Sequence, residues 1–364
     1  MMRAADQAIQ RPPHARLLTI DCRGRIRHRP RAALATLVEP GDCVIANDAA
    51  TLPASLAAIH ARTGAALDVR LAARASLEPG ALAQCAAIVF SAGDPHEAVE
   101  RRAPPPALMP GDVLRFGAWR ARVTARLGHP RFVSLRFDGD AAQVWRAIAG
   151  HGRPIQYEYL RDPLALWDVW SPIAAQPAAF EAPSASFALD WRMLDALRAR
   201  HATFATLTHA AGLSTTGDPA LDARLPFDEP YRIPAATASA IVRAKARGAR
   251  VIAIGTSVVR ALEHAAAEDG IVRAGTGVAT QRIGPATRLA VVDALLTGAH
   301  EPDTSHYTLL RAFTDAVTLS HASAELDGRG YRTHEFGDSI WVERRQAGAA
   351  RSDPARVGCT RNAA

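Results

Sequence analysis

The stretch VIAIGTSVVRALEHA, residues 251–265, joins an apolar run, a glycine and a helical pattern. The apolar residues before Gly255 predict a buried strand, and the spacing of apolar residues after it predicts a helix. Gly255 allows a turn that a side chain would obstruct, and Thr256 or Ser257 is expected to cap the helix. This strand–turn–helix unit indicates an α/β protein.

The start of the same helix is a candidate ligand site. Its first backbone N–H groups lack helical partners and favour a carboxylate or a phosphate. Arg260, one turn further on, could add a charged fork to such a site. Two plainer interpretations stay open: an ordinary βα junction with capping residues, and a surface pair between Arg260 and Glu263.

Beyond this unit, the predicted pattern of helices and strands changes twice along the chain. A hairpin turning at Arg23-Gly24 and a strand at Cys43–Ala46 come first. From about residue 66 to 150, short strands separated by turns suit a small β-barrel, followed by a short helix ending at Gly150 or Gly152. After residue 150, helical and strand patterns alternate. We therefore predict the α/β class, with a large mixed α/β domain and an inserted small all-β barrel domain.

The same changes of pattern predict where the domains divide. Residues 1–65 and 151–343 are expected to form a discontinuous α/β domain that holds the ligand pocket. Residues 66–150 are expected to form the inserted barrel. Residues 344–364 lack apolar periodicity, and we expect them to be a disordered tail.

Composition restricts the class of protein and its partners. The chain has 364 residues, 48% of them hydrophobic, and a formal net charge of +7. This charge permits an anionic partner such as RNA, although a single lysine, Lys245, among many arginines also suits a GC-rich genome. No apolar run reaches the roughly 18 residues of a membrane span, and the first residues contain no apolar h-region. We expect a cytoplasmic protein without membrane contact. The four cysteines form no CxxC pair, so we expect no metal site.

Four ordered segments resemble one enzyme family, the S-adenosylmethionine:tRNA ribosyltransferase-isomerases of queuosine biosynthesis. They are PGDCVIANDAATLPASL at 40–56, VIAIGTSVVRALE at 251–263, VVDALLTGAHEPDTSHYTLLRAF at 291–313 and YRTHEFGDSIWV at 331–342. The resemblance extends from about residue 14 to 343. It implies a large α/β domain interrupted by a small β-barrel, in agreement with the pattern above.

The resemblance also implies a reaction. The ribosyl part of S-adenosylmethionine is transferred to a 7-aminomethyl-7-deazaguanine base in tRNA and rearranged, and adenine and methionine are released. S-adenosylmethionine is then a co-substrate, tRNA is the partner, and no metal is needed. The oligomeric state is open, with a monomer favoured.

Three histidines of the family's motifs are replaced in this chain. Their positions hold Ala188 in APSASFAL, Thr208 in TLTHAAGLS and Phe227 in FDEPY. His209 lies one place later than the second of them. An imidazole exchanges protons readily near neutral pH, and alanine, threonine or phenylalanine cannot replace it in kind. A proton donor for the departing base must therefore come from another group.

The retained residues supply the candidate site. The candidate catalytic residues are Glu229, His300 and Asp338. The candidate substrate-binding residues are Asp48, Tyr231, Gly255, Thr256, Ser257, Arg260, Asp293, Thr297 and Pro302.

Several of these candidates have a plainer interpretation. His300 could be a hydrogen-bonded loop residue, and Glu229 a surface carboxylate. Tyr231 could be a core ring with its hydroxyl at the rim. Asp338 could shape a turn, and Asp293 could make a polar contact inside a helix.

Three classes of function remain open at this stage. The first is the family's tRNA-modifying transferase. The second is a divergent paralogue that keeps the nucleoside pocket and acts on another, possibly small-molecule, acceptor. The third is a non-catalytic binding protein. Fold alone does not separate them, because function resides in the site.

Overall fold

A computed structural model describes residues 2–302 and 304–345. The strands in these residues are β1 Arg3–Ala4, β2 Arg16–Ile20, β3 Ile26–Pro30, β4 Cys43–Asn47, β5 Ala49–Thr51, β6 Ser55–His60, β7 Ala66–Arg74, β8 Gln84–Ser91, β9 Val113–Phe116, β10 Trp119–His129, β11 Phe132–Phe137, β12 Gly152–Arg153, β13 Gln176–Ala179, β14 Thr203–His209, β15 Glu229–Ile233, β16 Val251–Ile254, β17 Gly275–Ala279, β18 Ala294–Gly298, β19 Arg332–Thr333 and β20 Ser339–Glu343.

The helices between these strands are short. They are α1 Ala141–His151, α2 Leu166–Val169, α3 Trp191–Ala199, α4 Pro219–Asp222, α5 Ala235–Ala246, α6 Thr256–Ala265, α7 Ser305–Leu310 and α8 Ala316–Gly328. Single 3₁₀ turns or short 3₁₀ helices lie at Arg31–Leu37, Pro79–Ala83, Val99–Arg101 and Ser184–Ala188.

The larger sheet has nine strands in the order β17-β15-β14-β4-β16-β18-β20-β2-β3. Its four central strands, β14, β4, β16 and β18, are mutually parallel. Strands β4 and β16 are buried at every residue because helices cover both faces of the sheet. Residues of α5 and α6 share one apolar cluster with these strands, and residues of α3 share another. Because the four central strands are parallel, their carboxyl ends lie at the same edge of the sheet.

The second large sheet closes into a six-stranded antiparallel barrel. Its order is β6-β7-β8-β11-β10-β9, and β9 pairs back onto β6. Buried and exposed residues alternate along β6 and β9, as expected for strands with one face toward a barrel core. The short strand β12 pairs with the start of β6. The barrel confirms that the protein is a mixed α/β molecule containing a small β-barrel.

The barrel sheet begins earlier in the chain than the sequence predicts. Strand β6 begins at Ser55, eleven residues before the predicted start at residue 66. The helix predicted at its end is confirmed as α1, which begins at a capping box on Asp140 and ends before Gly152. The domain boundaries themselves, and the insertion of one domain in the other, remain predictions.

The two ends of the described chain also contribute to the fold. Strand β1 pairs in parallel with β19, with Arg3 opposite Arg332 and Ala4 opposite Thr333. Arg344 is part of the predicted tail, yet its guanidinium bonds to Asp293. Residues 346–364 of that tail lie outside the described residues. None of the described helices is long and apolar enough to cross a membrane.

Candidate active site

A cavity of about 420 Å³ lies at the carboxyl ends of the central strands. Its walls come from the segments that follow β14, β16 and β18, together with residues Glu181–Ala185 and the turn after β19. The crevice outside the carboxyl ends of parallel strands is the usual place for ligands in open α/β sheets. Seven of the residues predicted from the sequence line it: Glu229, Gly255, Thr256, Ser257, Arg260, Thr297 and His300.

The start of α6 forms one wall of the cavity. Gly255 is the residue that precedes the helix, and its φ of +101° is a conformation that L side chains rarely adopt. No side chain caps this helix, so the expectation that Thr256 or Ser257 would do so is wrong. The Ser257 hydroxyl instead accepts a hydrogen bond from the Asn47 amide at 3.3 Å. The hydroxyls and the first N–H groups of α6 are therefore placed to meet a ligand.

A buried ion pair between Arg260 and Glu229 forms a second wall. One guanidinium nitrogen of Arg260 donates to Glu229 Oε2, and another donates to the carbonyls of Phe227 and Ala279. Glu229 Oε1 accepts the Gly212 N–H at 2.6 Å. The guanidinium fork is thus engaged within the protein, and Glu229 is buried instead of being a surface carboxylate. Burial raises the pKa of Glu229, while the charge of Arg260 opposes this rise.

The alternative pairing of Arg260 with Glu263 does not occur. The Glu263 carboxylate accepts the backbone N–H groups of residues 290–292 instead. Behind the Arg260–Glu229 pair lies His209, whose Nε2 atom is 3.4 Å from Glu229 Oε2. Burial and the nearby guanidinium lower the pKa of His209 well below its ordinary value. The imidazole is therefore neutral near pH 7.

Three histidines line the cavity. The rings of His300 and His306 stack with their centroids 4.5 Å apart, and His300 Nε2 lies 2.8 Å from Thr297 Oγ1. Burial lowers the pKa of His300 well below its usual range and that of His306 to about 4. His334 has a φ of 68° and stacks on Tyr159. This uncommon backbone conformation belongs to a turn whose His334 side chain lines the cavity.

Two further carboxylates, Glu181 and Glu335, line the cavity and accept hydrogen bonds from tyrosine hydroxyls. The hydroxyl of Tyr157 donates to Glu181 Oε1, and the Ser214 N–H donates to Glu181 Oε2 at 3.0 Å. The hydroxyl of Tyr159 donates to Glu335 Oε2. Burial, aided by the charge of Glu335, raises the pKa of Glu181 from 4.5 to about 7.

The remaining predicted residues are absent from the described cavity lining. Asp48 accepts hydrogen bonds from the hydroxyls of Thr206 and Thr208. The Tyr231 ring is in the core, with its hydroxyl 3.0 Å from His264 Nδ1. Pro302 follows the cavity residue Glu301 without lining the cavity itself.

Asp293 and Asp338 have structural partners that account for their charge. Asp293 directly precedes strand β18, so it does not lie within a helix. Its carboxylate accepts hydrogen bonds from Lys245, Arg344 and the Val251 N–H. The Asp338 carboxylate accepts the backbone N–H and the guanidinium of Arg16, and also the Arg332 N–H. These contacts join β2, β19 and β20, as expected for a residue that shapes a turn.

The three positions where the family has histidine are also absent from the described lining. Ala188 is packed in the apolar cluster under α3. Thr208 donates to Asp48 at 2.7 Å. Phe227 stacks on Phe132 of the barrel, with ring centroids 4.6 Å apart. In this chain, these positions serve packing and local hydrogen bonding.

Sequence reasoning missed Glu181, His306, His334 and Glu335, all of which line the cavity. Three of them lie inside segments that carried the resemblance, at 291–313 and 331–342. Proximity to a motif was therefore a usable signal for these three. Glu181 has no such signal beyond its position just before Ala182-Pro183. Across the described part of the chain, no group of histidine, cysteine and carboxylate residues could hold a metal ion.

The fold and the cavity together define an α/β protein with a small-molecule site that carries several groups suited to proton transfer. The family model described as queuosine biosynthesis protein matches residues 2–342. The chain belongs to this family, the S-adenosylmethionine:tRNA ribosyltransferase-isomerases, which are transferases and isomerases of tRNA modification.

Two relatives known by sequence agree with this assignment. The S-adenosylmethionine:tRNA ribosyltransferase-isomerase of Sorangium cellulosum is 36% identical, over 91% of this chain and 94% of the relative. That of Citrifermentans bemidjiense is 31% identical, over 93% and 95%. The crystal structure of S-adenosylmethionine tRNA ribosyltransferase from Thermotoga maritima is 22% identical and has a TM-score of 0.47, covering 94% of this chain and 95% of that one.

Proposed function

We propose that this chain transfers the ribosyl moiety of S-adenosylmethionine to a 7-aminomethyl-7-deazaguanine base in tRNA and isomerises it, with release of adenine and methionine. The observation that carries the proposal is the meeting of two family segments at one cavity. Gly255, Thr256 and Ser257 come from residues 251–263, and Thr297 and His300 from residues 291–313. The names of the relatives supply the co-substrate and the acceptor.

The cavity suits the polar parts of S-adenosylmethionine. The free N–H groups and the positive end of α6 would bind the methionine carboxylate or the ribose hydroxyls. The hydroxyls of Thr256 and Ser257 add donors and acceptors at the same wall. His300 and His306, both neutral, offer hydrogen bonds to a nucleoside without adding a like charge to the sulfonium.

The direct test is incubation of the protein with S-adenosylmethionine and tRNA that carries the 7-aminomethyl-7-deazaguanine base. Chromatography would follow adenine release and the mass of the modified nucleoside. We expect one adenine for each base that gains the ribosyl-derived group. Release of adenine that does not depend on this tRNA would contradict the proposed acceptor.

A second candidate is a divergent paralogue that uses the same cavity for another, small-molecule acceptor. The packing roles of Ala188, Thr208 and Phe227 favour it, because the family's imidazoles are absent there. In the same experiment, this candidate predicts no adenine release with the precursor tRNA, and adenine release once a suitable small-molecule acceptor replaces it.

A further inference from the structure

Two glutamates of the cavity each receive a tyrosine hydroxyl. Tyr157 donates to Glu181, Tyr159 donates to Glu335, and the two tyrosine rings stack with centroids 5.9 Å apart. Both carboxylates line the main cavity. The two tyrosines come from residues 157–159, whereas the glutamates lie before the Ser184–Ala188 turn and after β19. The fold therefore brings four polar side chains from three segments into one cluster, and the two carboxylates of this cluster line the cavity.

The surroundings of Glu181 are largely apolar on the side away from the main cavity. Glu181 and Glu335 also line a second cavity of about 20 Å³, whose other walls are mostly apolar and include Leu160, Phe180 and Phe336. A carboxylate next to apolar groups and a second carboxylate holds its proton more strongly than in water. This is why the pKa of Glu181 rises to about 7. Near neutral pH, a large fraction of the Glu181 side chains is protonated.

Several polar and charged side chains surround Glu181. Tyr157 and Ser214 donate hydrogen bonds to it, the charge of Glu335 raises its pKa, and the Tyr159 ring stacks on Tyr157. The Arg70 guanidinium lies 5.8 Å from the centre of the Tyr157 ring. The pKa of Tyr157 is raised well above its usual range, so its hydroxyl remains a donor to Glu181.

Three other acid–base groups of the cavity, His300, His306 and Glu229, are less suited to giving up a proton. His300 and His306 are neutral near pH 7 because burial lowers the pKa of each. Both oxygens of Glu229 are engaged, one by Gly212 and the other by Arg260. Glu181 combines exposure to the cavity with a proton that is held near neutral pH.

We propose that Glu181 is the catalytic acid that protonates the departing purine base. This inference rests on the proposed function. As the bond from the sugar carbon to the purine nitrogen breaks, its electron pair leaves with the base. The proton passes from the Glu181 carboxyl to a ring nitrogen of the base. The base leaves neutral, Glu181 becomes a carboxylate, and the sugar fragment carries the compensating positive charge.

The product carboxylate is stabilised where it forms. The Tyr157 O–H and the Ser214 N–H both donate to Glu181, and hydrogen bonds to a charged acceptor are stronger than those to a neutral one. Because these donors are already in place, they favour the charged state reached after proton transfer. Glu181 would thereby supply the proton for the departing base. Ala188, Thr208 and Phe227, which replace the family's histidines, have no acidic group that could do so.

The test is the pH dependence of adenine release in a single turnover, from about pH 5 to about pH 9. For the wild-type protein, the rate should fall as pH rises through about 7, where Glu181 loses its proton. Glu181→Gln should lower the rate by about 10²-fold or more and remove this pH dependence, while S-adenosylmethionine affinity in calorimetry changes far less than the rate. Tyr157→Phe should move the midpoint to higher pH, because the tyrosine hydrogen bond favours the carboxylate.

Glu158→Gln is the matched control. Glu158 lies in the same segment, is exposed, and carries the same charge change. It should keep the wild-type rate and pH profile. If Glu181→Gln is as fast as wild type with the same profile, or loses affinity and rate equally, Glu181 is not the acid and the proposed function stands. If wild-type protein releases no adenine from S-adenosylmethionine with the precursor tRNA, the proposed function fails and the role of Glu181 fails with it.

Discussion

At the level of single residues, the Glu181 carboxyl links proton binding to folding stability. Its pKa is raised from 4.5 to about 7, so between these values the folded chain holds a proton that the unfolded chain has lost. Unfolding then releases a proton, and the free energy of unfolding falls as pH rises through this window. Below about pH 4.5 both states are protonated, and the penalty is absent.

This linkage predicts a pH-dependent effect of Glu181→Gln. Glutamine carries no charge, so the variant should gain stability relative to wild type as pH rises from about 5 to about 8. The expected gain is on the order of 2 kcal/mol, since each unit of pKa shift corresponds to about 1.4 kcal/mol and the site is partly open to water. Urea unfolding at several pH values measures it, with the exposed Glu158→Gln as control. A stability difference that does not vary with pH would contradict the raised pKa.

The same residue shows why part of the site could not be predicted. Burial and Glu335 set the chemistry of Glu181, and Glu335 lies far away in sequence. Arg260 was predicted as a ligand group from its helical position, yet its partners come from residues 227–281. A local pattern identifies a residue type and its element, whereas the charges around a buried group depend on tertiary contacts.

At the level of elements, the strand–turn–helix unit around Gly255 was predictable because its signals are local. The apolar run gave β16, the glycine gave the turn, and the spacing gave α6. The sequence did not predict that Gly255 would be the N-cap residue of α6, because glycine and hydroxyl residues are both common at that position. A helix around Asp293 was one interpretation of the sequence, whereas Asp293 directly precedes strand β18, because short apolar runs do not distinguish strand from helix.

The start of α6 makes a prediction at this scale. Thr256→Val with Ser257→Ala removes two cavity hydroxyls with little change of volume. Neither side chain caps the helix, so stability should change by less than about 1 kcal/mol, mainly through the bond from Asn47. S-adenosylmethionine binding should weaken at least several-fold in calorimetry.

Thr318→Val provides the matched control for this double variant. Thr318 lies in the first turn of α8, where its hydroxyl bonds to Asp315, and it is not part of the described cavity lining. Its loss should leave S-adenosylmethionine affinity unchanged. Equal affinity for the double variant and the wild-type protein would show that the start of α6 is not part of the ligand site.

At the level of the whole molecule, the net charge of +7 favours binding of tRNA. Arg282 is exposed and lines the cavity, and two of its guanidinium nitrogens donate to the carbonyls of Ala223 and Arg224. We expect its remaining N–H groups to meet a phosphate of a tRNA whose base enters there. We expect tRNA affinity to fall steeply with salt, because each phosphate contact releases counterions. Arg282→Gln should reduce the slope of log K against log salt by about one unit.

Arg198→Gln is the control for this measurement, because Arg198 is exposed on α3 and does not line the described cavity. Its salt slope should match that of the wild-type protein. A flat salt response of the wild-type protein would favour a small-molecule acceptor over tRNA. Fluorescence anisotropy with labelled tRNA at several salt concentrations measures all three slopes.

The pairing of β1 with β19 has a practical consequence for handling the protein. Arg3 and Ala4 lie beside Arg332 and Thr333, and the next two residues, His334 and Glu335, belong to the cavity wall. A bulky affinity tag fused directly before Arg3, or nicking of this edge by a protease, would loosen a strand that adjoins the cavity. Preparations that differ in their first few residues should therefore differ in ligand affinity while their melting curves coincide.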